Sequence, residues 1–175
     1  MIKRLTVMAV FAGLLAASPQ AAHAQLRFHL GAGVSNPTGD FGDLVDSGFQ
    51  GRGGVSLGAP LFPLSARAEV EASRFPASQM SSGNATLLGG NLSVILSLGG
   101  IGISPYVLAG VGSYRVSFSD EFGMGDATTD SGYHLGFGVN LGILGFGGFL
   151  EARFVNVSRD AGDLRTIPVT FGVRF

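Results

Sequence analysis

The last ten residues constrain the fold more than any other stretch of the sequence. Residues 166–175 read TIPVTFGVRF, and apolar residues alternate with polar or small ones up to the final Phe175. Such alternation predicts a strand, because successive side chains of a strand point to opposite faces. Ten tilted residues rise roughly 25 Å, the apolar height of a transmembrane barrel. A lone strand in lipid would leave its backbone unpaired, so the chain must supply a closed barrel around it.

The other end of the chain predicts export. A basic start at Lys3 and Arg4 precedes an apolar run too short for a bilayer helix, and an A-x-A cleavage site ends at Ala24. This arrangement is typical of a secretory signal peptide. We therefore expect residues 1–24 to be a cleaved signal peptide and residues 25–175 to form one barrel domain.

Seven further alternating segments precede the terminal one. They cover residues 26–35, 49–58, 64–75, 85–98, 103–118, 133–143 and 148–158. The connections between them alternate long and short, as in outer-membrane barrels with short periplasmic turns and longer external loops. The sequence thus predicts an all-β fold, an eight-stranded antiparallel up-and-down transmembrane β-barrel.

Two of these segments are irregular. The fourth keeps its alternation except at Ile95. In the fifth, faces can be assigned only near the end, where Val116 and Phe118 oppose Arg115 and Ser117. If the rule of the other segments holds there, the two apolar residues face outward.

The same alternation would suit a soluble lipocalin-like barrel with its faces inverted. A solvated surface should be about a quarter to a third charged, whereas the polar faces here carry mostly glycine, serine, asparagine and a few arginines. Gly136, Gly138 and Gly142 share one face of the sixth segment and suit a crowded interior. We therefore expect the apolar faces to meet lipid. Aromatic residues near strand ends are predicted to form interfacial girdles: Phe28, Phe49, Tyr106, Phe118, Tyr133, Phe149 and Phe175.

The polar faces carry a set of charges that should point into the lumen. They are Arg52, Arg67, Glu69, Glu71, Glu151, Arg153 and Arg174. Hairpin continuation is expected to bring Arg52 level with Glu69 and Glu71, and Glu151 level with Arg174. The third and seventh strands stand opposite each other in an eight-stranded ring, so their charges are also expected to meet across it.

Three pieces of the sequence carry a family resemblance: PTGDFGD at residues 37–43, SPYVLAGVG at residues 104–112, and the terminal strand. Together they resemble small eight-stranded bacterial outer-membrane β-barrel proteins, the family of outer membrane protein X and the transmembrane domain of outer membrane protein A. The resemblance implies location in the bacterial outer membrane among its lipids and lipopolysaccharide. It also implies that the barrel-assembly machinery reads Phe171, Val173 and Phe175 as an assembly signal. We expect a monomer.

Motifs for catalysis are weak. Hairpin pairing could bring Ser117 near His134, and some outer-membrane barrels are lipid A deacylases that use a Ser–His pair. Both side chains should face the lumen, however, while a lipid substrate arrives from outside. The GVSLG match at residues 54–58 precedes another strand, not the helix that a nucleophile elbow requires. His29 and His134 have no metal-site spacing. We expect no catalytic residue, cofactor or metal site.

The long connections carry most of the acidic residues, which predicts an acidic outer rim. These residues are Asp40, Asp43, Asp46, Asp120, Glu121, Asp126, Asp130, Asp160 and Asp163. A divalent ion could bridge them to lipopolysaccharide, although their spacing does not match an EF-hand loop. The chain has a net charge of −1 and no basic stripe, which argues against nucleic-acid binding.

The favoured function is therefore a non-enzymatic barrel that is structural or presents its loops at the cell surface. Eight strands leave an interior filled by side chains, which argues against a general diffusion pore. Two alternatives stay open: an outer-membrane lipid-modifying enzyme of the lipid A deacylase type, and a narrow ion-leak channel.

Overall fold

The computed structural model describes residues 25–58, 62–76, 84–100, 102–118, 128–143, 146–159 and 162–175. The described part consists of eight strands and one short helix. The strands are β1 (Gln25–Thr38), β2 (Gly48–Gly58), β3 (Leu64–Pro76), β4 (Asn84–Ser97), β5 (Ile103–Phe118), β6 (Thr128–Ile143), β7 (Phe146–Ser158) and β8 (Leu164–Arg174). Helix α1 (Asp40–Leu44) lies between β1 and β2. No helix within these ranges has the length and apolar character needed to cross a bilayer.

The strands close into a barrel in which each one pairs antiparallel with its neighbour in sequence. The ring is completed by β1 and β8, where the backbones of Phe28 and Phe175 exchange hydrogen bonds of 2.7 and 3.0 Å. This confirms the predicted eight-stranded up-and-down barrel. We call the end with the β1–β2, β3–β4, β5–β6 and β7–β8 connections the loop side, and the end with both termini of the barrel the turn side.

The outer wall of the barrel is apolar. Val70, Phe137 and Phe171 are 69%, 68% and 61% exposed on it, whereas the alternating charged residues are buried inside. Continuous apolar area of this kind is unfavourable in water, at about 25 cal/mol per Å². Contact with the acyl chains of lipids removes it from water. The membrane barrel is therefore confirmed, and the inverted soluble barrel is wrong.

The inner wall is less uniformly polar than the alternation predicted. Tyr114 and Val116 of β5 point inward and are almost fully buried, while Arg115 between them is exposed outside. The expected facing of Val116 was therefore wrong. Ile95 is also buried on the inner face, so β4 keeps its alternation without a slip. These residues face inward because the lumen contains apolar layers as well as charges.

The predicted aromatic girdle holds for only part of its members. Phe28, Phe49, Tyr133 and Phe175 are exposed on the outer wall. The remaining three are Tyr106 and Phe149, which are buried inside, and Phe118, whose side chain lies outside the described residues. Phe149 fills space left by glycines of neighbouring strands, since a β-carbon at Gly172 would lie 2.4 Å from its ring.

Connections are shorter than predicted on the loop side. Strand β6 begins at Thr128, so Asp130 belongs to a strand and not to a loop. At the turn side, the tight turn was predicted at residues 99–102, of which residue 101 lies outside the described residues. Gly99 and Gly102 have positive φ angles of 75° and 79°. Glycine adopts such angles without steric penalty.

Candidate functional site

Glu151 of β7 is the centre of a charge network in the middle of the lumen. Its carboxylate accepts hydrogen bonds from Arg52 Nη1 at 2.6 Å, Arg67 Nη1 at 2.7 Å, Tyr106 Oη at 2.7 Å and Arg153 Nε at 2.5 Å. Its side chain is 0% exposed. Four donors match the roughly four lone-pair positions of an ionised carboxylate, so this buried charge is fully compensated.

Glu69 of β3 provides a second carboxylate in the same layer. It pairs with Arg153 Nη2, accepts a 2.8 Å contact from His29 Nε2, and lies 3.8 Å from Arg67 Nη1. Arg153 therefore links Glu69 to Glu151 across the barrel. The structure brings the charges of the third and seventh strands together across the ring.

Neighbouring glycines make room for these long side chains. Gly136 lies opposite Arg153 in the β6–β7 ladder, and a β-carbon there would approach Arg153 Cγ to 2.9 Å. Gly138 stands beside Tyr106, where a β-carbon would lie 2.5 Å from the phenol oxygen. The glycines on the inner face of β6 thus allow the network to reach its central carboxylate.

The register of the β2–β3 hairpin agrees with the expectation, and that of the β7–β8 hairpin differs from it. Arg52 is level with Glu71, although its short ion pair runs across the lumen to Glu151. The expected level of Glu151 with Arg174 is wrong, because Glu151 pairs with Thr170. The β7–β8 connection is shorter than the sequence pattern indicated, and Arg174 consequently lies at the turn-side mouth, away from Glu151.

Several members of the network were not singled out in the sequence. Arg52 Nη2 and Gln50 Nε2 both donate to Thr170 Oγ1, and His29 contacts Glu69. Gln50, Thr170 and His29 all lie on faces that the alternation predicted to be inward, so their positions could have been used to find them. Tyr106 had no such signal, since β5 lacks clear alternation.

The loop-side end of the lumen is apolar. Helix α1 inserts Phe41, whose ring meets Phe75 edge-on at 5.3 Å, and Val45 is 1% exposed. We call this cluster the apolar cap; it comprises Phe41, Val45, Phe75, Ala85, Leu87, Tyr114, Val116, Val155, Val157 and Leu164. The interior therefore has two layers in series, an ionic one and an apolar one.

The Ser–His pair proposed for a lipid-modifying enzyme does not form. Gly110, not Ser117, stands opposite His134 in the β5–β6 ladder, and Ser117 lies on the outward-facing register of β5. His134 Nε2 instead contacts Ser93 Oγ at 2.8 Å, and both residues are buried within the lumen. A lipid outside the wall cannot reach this pair.

Other candidate motifs also have structural explanations. Ser56 accepts a 3.4 Å hydrogen bond from Arg67 Nε and lies in β2, so the GVSLG segment forms no strand-to-helix elbow. Among the described residues, no group of three or more potential metal-ligating side chains occurs.

Solved structures of outer-membrane proteins share this fold. Neisserial surface protein A is similar with a TM-score of 0.70 and 18% identity, covering 86% of this chain and 97% of its own. Ail, the attachment invasion locus protein of Yersinia pestis, crystallised with the heparin analogue sucrose octasulfate, has a TM-score of 0.58 and 16% identity, over 87% and 99%. A major outer membrane protein from Thermus thermophilus has a TM-score of 0.56 and 13% identity, over 87% and 98%. No curated protein sequence matches the chain.

The family model described as "Outer membrane protein beta-barrel domain" matches residues 7–175. That match spans nearly the whole chain and agrees with the closed eight-stranded barrel and its apolar outer wall. The chain therefore belongs to the outer membrane protein beta-barrel domain family and lies in the bacterial outer membrane.

Proposed function

We propose that this protein is a non-catalytic surface barrel whose loop side is its only binding face for external partners. The observation that carries this proposal is the saturated network around Glu151, in which the side chains of Arg52, Arg67 and Arg153 are at most 3% exposed. These groups cross the middle of the lumen, so it offers no wide path from one side to the other. The loop side is then the part of the molecule that can meet partners outside the cell.

The charge of the loop side indicates the class of partner. By sequence, nine of the 12 acidic residues of the chain belong to the loop-side connections or the strand ends beside them, against four arginines, namely Arg74, Arg115, Arg159 and Arg165. Four of the nine, Asp120, Glu121, Asp126 and Asp160, lie outside the described residues. The ligand in the Ail structure, sucrose octasulfate, is a polyanion, and a surface of net negative charge repels such a molecule. We therefore infer that the loops of this chain favour cationic partners, such as a basic peptide segment.

A binding experiment with charge-neutralised loops tests this proposal. Asp40, Asp43 and Asp46 are exposed in the first connection, so the triple Asp→Asn variant should leave the lumen intact. We expect it to weaken binding of an oligolysine peptide to the purified barrel at least about threefold, because each exposed charge contributes a screened attraction. Ser97→Ala at the turn side is the control and should bind as the wild type does.

The opposite charge preference would contradict the proposal. Tighter binding of sucrose octasulfate than of oligolysine, at the same ionic strength and with the turn-side residues Arg27 and Arg174 both changed to Gln, would show that the acidic residues do not dominate the loop side. Hydrolysis of lipid A by the purified barrel would contradict the non-catalytic part.

We further propose that the barrel-assembly machinery reads Phe171, Val173 and Phe175. In support of this, all three side chains point outward from β8 and are exposed, at 61%, 44% and 67%. Strand β8 also pairs with both β1 and β7 and so closes the barrel. We also propose that residues 1–24 are removed as a signal peptide during export.

A further inference from the structure

The turn-side mouth of the lumen is a basic cavity. It has a volume of about 190 Å³, the liquid volume of about six water molecules. Its lining combines three arginines with neutral polar side chains, among them Arg27, Arg67, Arg174, Ser56, Ser97 and Asn140. We call this cavity the basic mouth.

The ladders explain why the arginines converge there. Arg27 is level with Ser56 in the β1–β2 ladder, and Ser56 is level with Arg67 in the β2–β3 ladder. Arg174 is level with His29, the next inward residue along β1 from Arg27. Arg174 and Arg27 therefore come from the neighbouring strands β8 and β1, and Arg67 comes from β3, with only β2 between β1 and β3. All three start from inward-facing positions.

No acidic side chain lines the basic mouth among the described residues. The turn residues beyond the described ranges, 59–61, 101 and 144–145, are Ala, Pro, Leu, Ile, Leu and Gly, so the sequence provides none there either. The charged groups that act on Arg174 include Arg27 and Arg67, which repel it. Like charges held close together attract a counter-ion.

Hydrogen-bonding capacity at the basic mouth is also unused. Arg174 Nε is buried and has no hydrogen-bond partner in the described part of the chain. Arg67 is different, because its Nη1 is bound to Glu151 on the network side. The backbone oxygen of Phe175, which also lies at the turn side, already accepts the Phe28 backbone N–H at 2.7 Å.

We propose that the basic mouth binds an oxyanion of the phosphate or sulfate class. The planar guanidinium fork of Arg174 matches two oxygens of such a group, Arg27 adds a second positive charge at the rim, and the hydroxyls of Ser56 and Ser97 add neutral donors. The cavity lies at the turn side, where the inner leaflet of the outer membrane ends. Its ligand is therefore free phosphate or the headgroup phosphate of an inner-leaflet phospholipid.

Titration of the full barrel in uncharged maltoside micelles tests this proposal. The readout is the ¹H–¹⁵N signal of the arginine Nε–H groups, with the signal of Arg174 assigned by its loss in Arg174→Gln. One arm adds inorganic phosphate, a second adds short-chain phosphatidylglycerol, and a third adds an uncharged glycolipid of the same chain length. We expect a saturable shift of the Arg174 signal with phosphate or phosphatidylglycerol and none with the glycolipid.

Matched variants separate a site from general charge. Arg174→Gln and, separately, Arg27→Gln should weaken binding about tenfold, as expected for the loss of a charge-assisted contact, measured by titration calorimetry. Arg115→Gln removes an exposed arginine on the outer wall near the loop side and should bind as the wild type does. Arg27 lies at the rim, so Arg27→Gln tests the site even if Arg174→Gln does not fold.

Each outcome decides the matter. Saturation with inorganic phosphate supports a free-anion site, and saturation with phosphatidylglycerol alone supports a headgroup site. Absence of saturation in both arms would overturn the proposal. Equal weakening in Arg115→Gln and Arg27→Gln would overturn it as well, because binding would then follow overall charge.

Discussion

At the scale of single residues, the stability of the lumen depends on the hydrogen bonds to the buried carboxylate of Glu151. A buried carboxylate is unfavourable unless its lone pairs are satisfied, because burial removes its hydration. Here three arginines and a tyrosine supply the missing donors at 2.5 to 2.7 Å. Each arginine is in turn buried, and the lumen buries three arginines with three glutamates, so removing one arginine leaves one negative charge in excess.

We therefore predict that Arg52→Ala destabilises the barrel by roughly 3–5 kcal/mol, the usual cost of breaking a buried ion pair by removing one partner. The change removes the 2.6 Å pair with Glu151 and the contact with Thr170. The measurement is the free energy of unfolding in urea, followed in detergent micelles or lipid vesicles.

Arg165→Ala is the matched control for this substitution. Arg165 pairs with Asp163 at 3.3 Å, and both side chains are well exposed, at 51% and 39%, so its loss should cost about 1 kcal/mol or less. Arg159 is a poorer control, because its 3.0 Å pair with Asp130 is half-buried. Equal unfolding midpoints for Arg52→Ala and Arg165→Ala would mean that the lumen is solvated.

The sequence allowed these inward positions to be predicted, but not their partners. Alternation placed Arg67, Glu69, Glu151 and Arg153 on polar faces, and the opposition of the third and seventh strands followed from the number of strands. The partner of Glu151 on β8 depended on the number of residues in a loop without a repeating pattern. A shift of a few residues there replaced the expected Arg174 by Thr170.

At the scale of an element, β6 had the clearest pattern, and its glycines have unequal importance. A β-carbon at Gly138 would lie 2.5 Å from the Tyr106 phenol oxygen and 2.6 Å from the Leu150 carbonyl oxygen. At Gly142, on the same face of the same strand, the nearest atom is 3.8 Å away. Of these two glycines, only Gly138 is required by close packing.

We predict that Gly138→Ala lowers the free energy of unfolding by roughly 1–3 kcal/mol, as overpacking does, because Tyr106 must move away from Glu151. Gly142→Ala should leave it nearly unchanged. Urea unfolding of the two variants, side by side, measures the difference. A loss of stability in Gly142→Ala equal to that in Gly138→Ala would contradict this prediction, because the contact with Tyr106 could not then be the cause.

Strand β5 resisted prediction for a physical reason. Its inner face carries Tyr106, Leu108, Tyr114 and Val116, which are all buried, and its outer face is also largely apolar. A strand with apolar side chains on both faces has no period of two in its hydrophobicity. Tyr114 and Val116 belong to the apolar cap, whereas Tyr106 and Leu108 form a second buried cluster with Ile95. No local sequence pattern predicts either cluster.

Strand β8 leads to a prediction about assembly. Deleting Phe175 removes both backbone hydrogen bonds with Phe28 at the seam and the stacking of the two rings at 6.1 Å. It also removes the last residue of the proposed assembly signal. We expect less folded barrel in the outer membrane and more degraded protein, with export unchanged.

Migration on unboiled detergent gels measures the folded fraction of the deletion variant. Phe62→Ala is the control, because Phe62 is an exposed phenylalanine in the β2–β3 connection and lies outside β8. Normal amounts of heat-modifiable protein in the Phe175 deletion would show that assembly of the barrel requires neither the seam contacts of Phe175 nor its part in the signal.

At the scale of the whole molecule, the chain is electrically polar along the barrel axis. The acidic residues outside the lumen belong to the loop side, whereas Arg27 and Arg174 lie at the turn side. Between these ends the lumen charges compensate one another. The acidic rim stays a prediction, because four of its nine residues lie outside the described ranges. The closed barrel could be predicted from the alternation and the strand count. The apolar cap could not, since α1 is only five residues long and its burial depends on the strands beneath it.

The two interior layers lead to a prediction about ion conduction. The ionic layer around Glu151 and the apolar cap around Phe41 stand in series, so each should block ion passage independently. We predict that the wild type shows no steady conductance in planar lipid bilayers. Phe41→Ala, which opens only the cap, should behave in the same way, because the arginine–glutamate pairs still cross the lumen. Steady conductance in Phe41→Ala alone would identify the cap as the sole barrier, and conductance in the wild type would favour the ion-leak channel over a filled lumen.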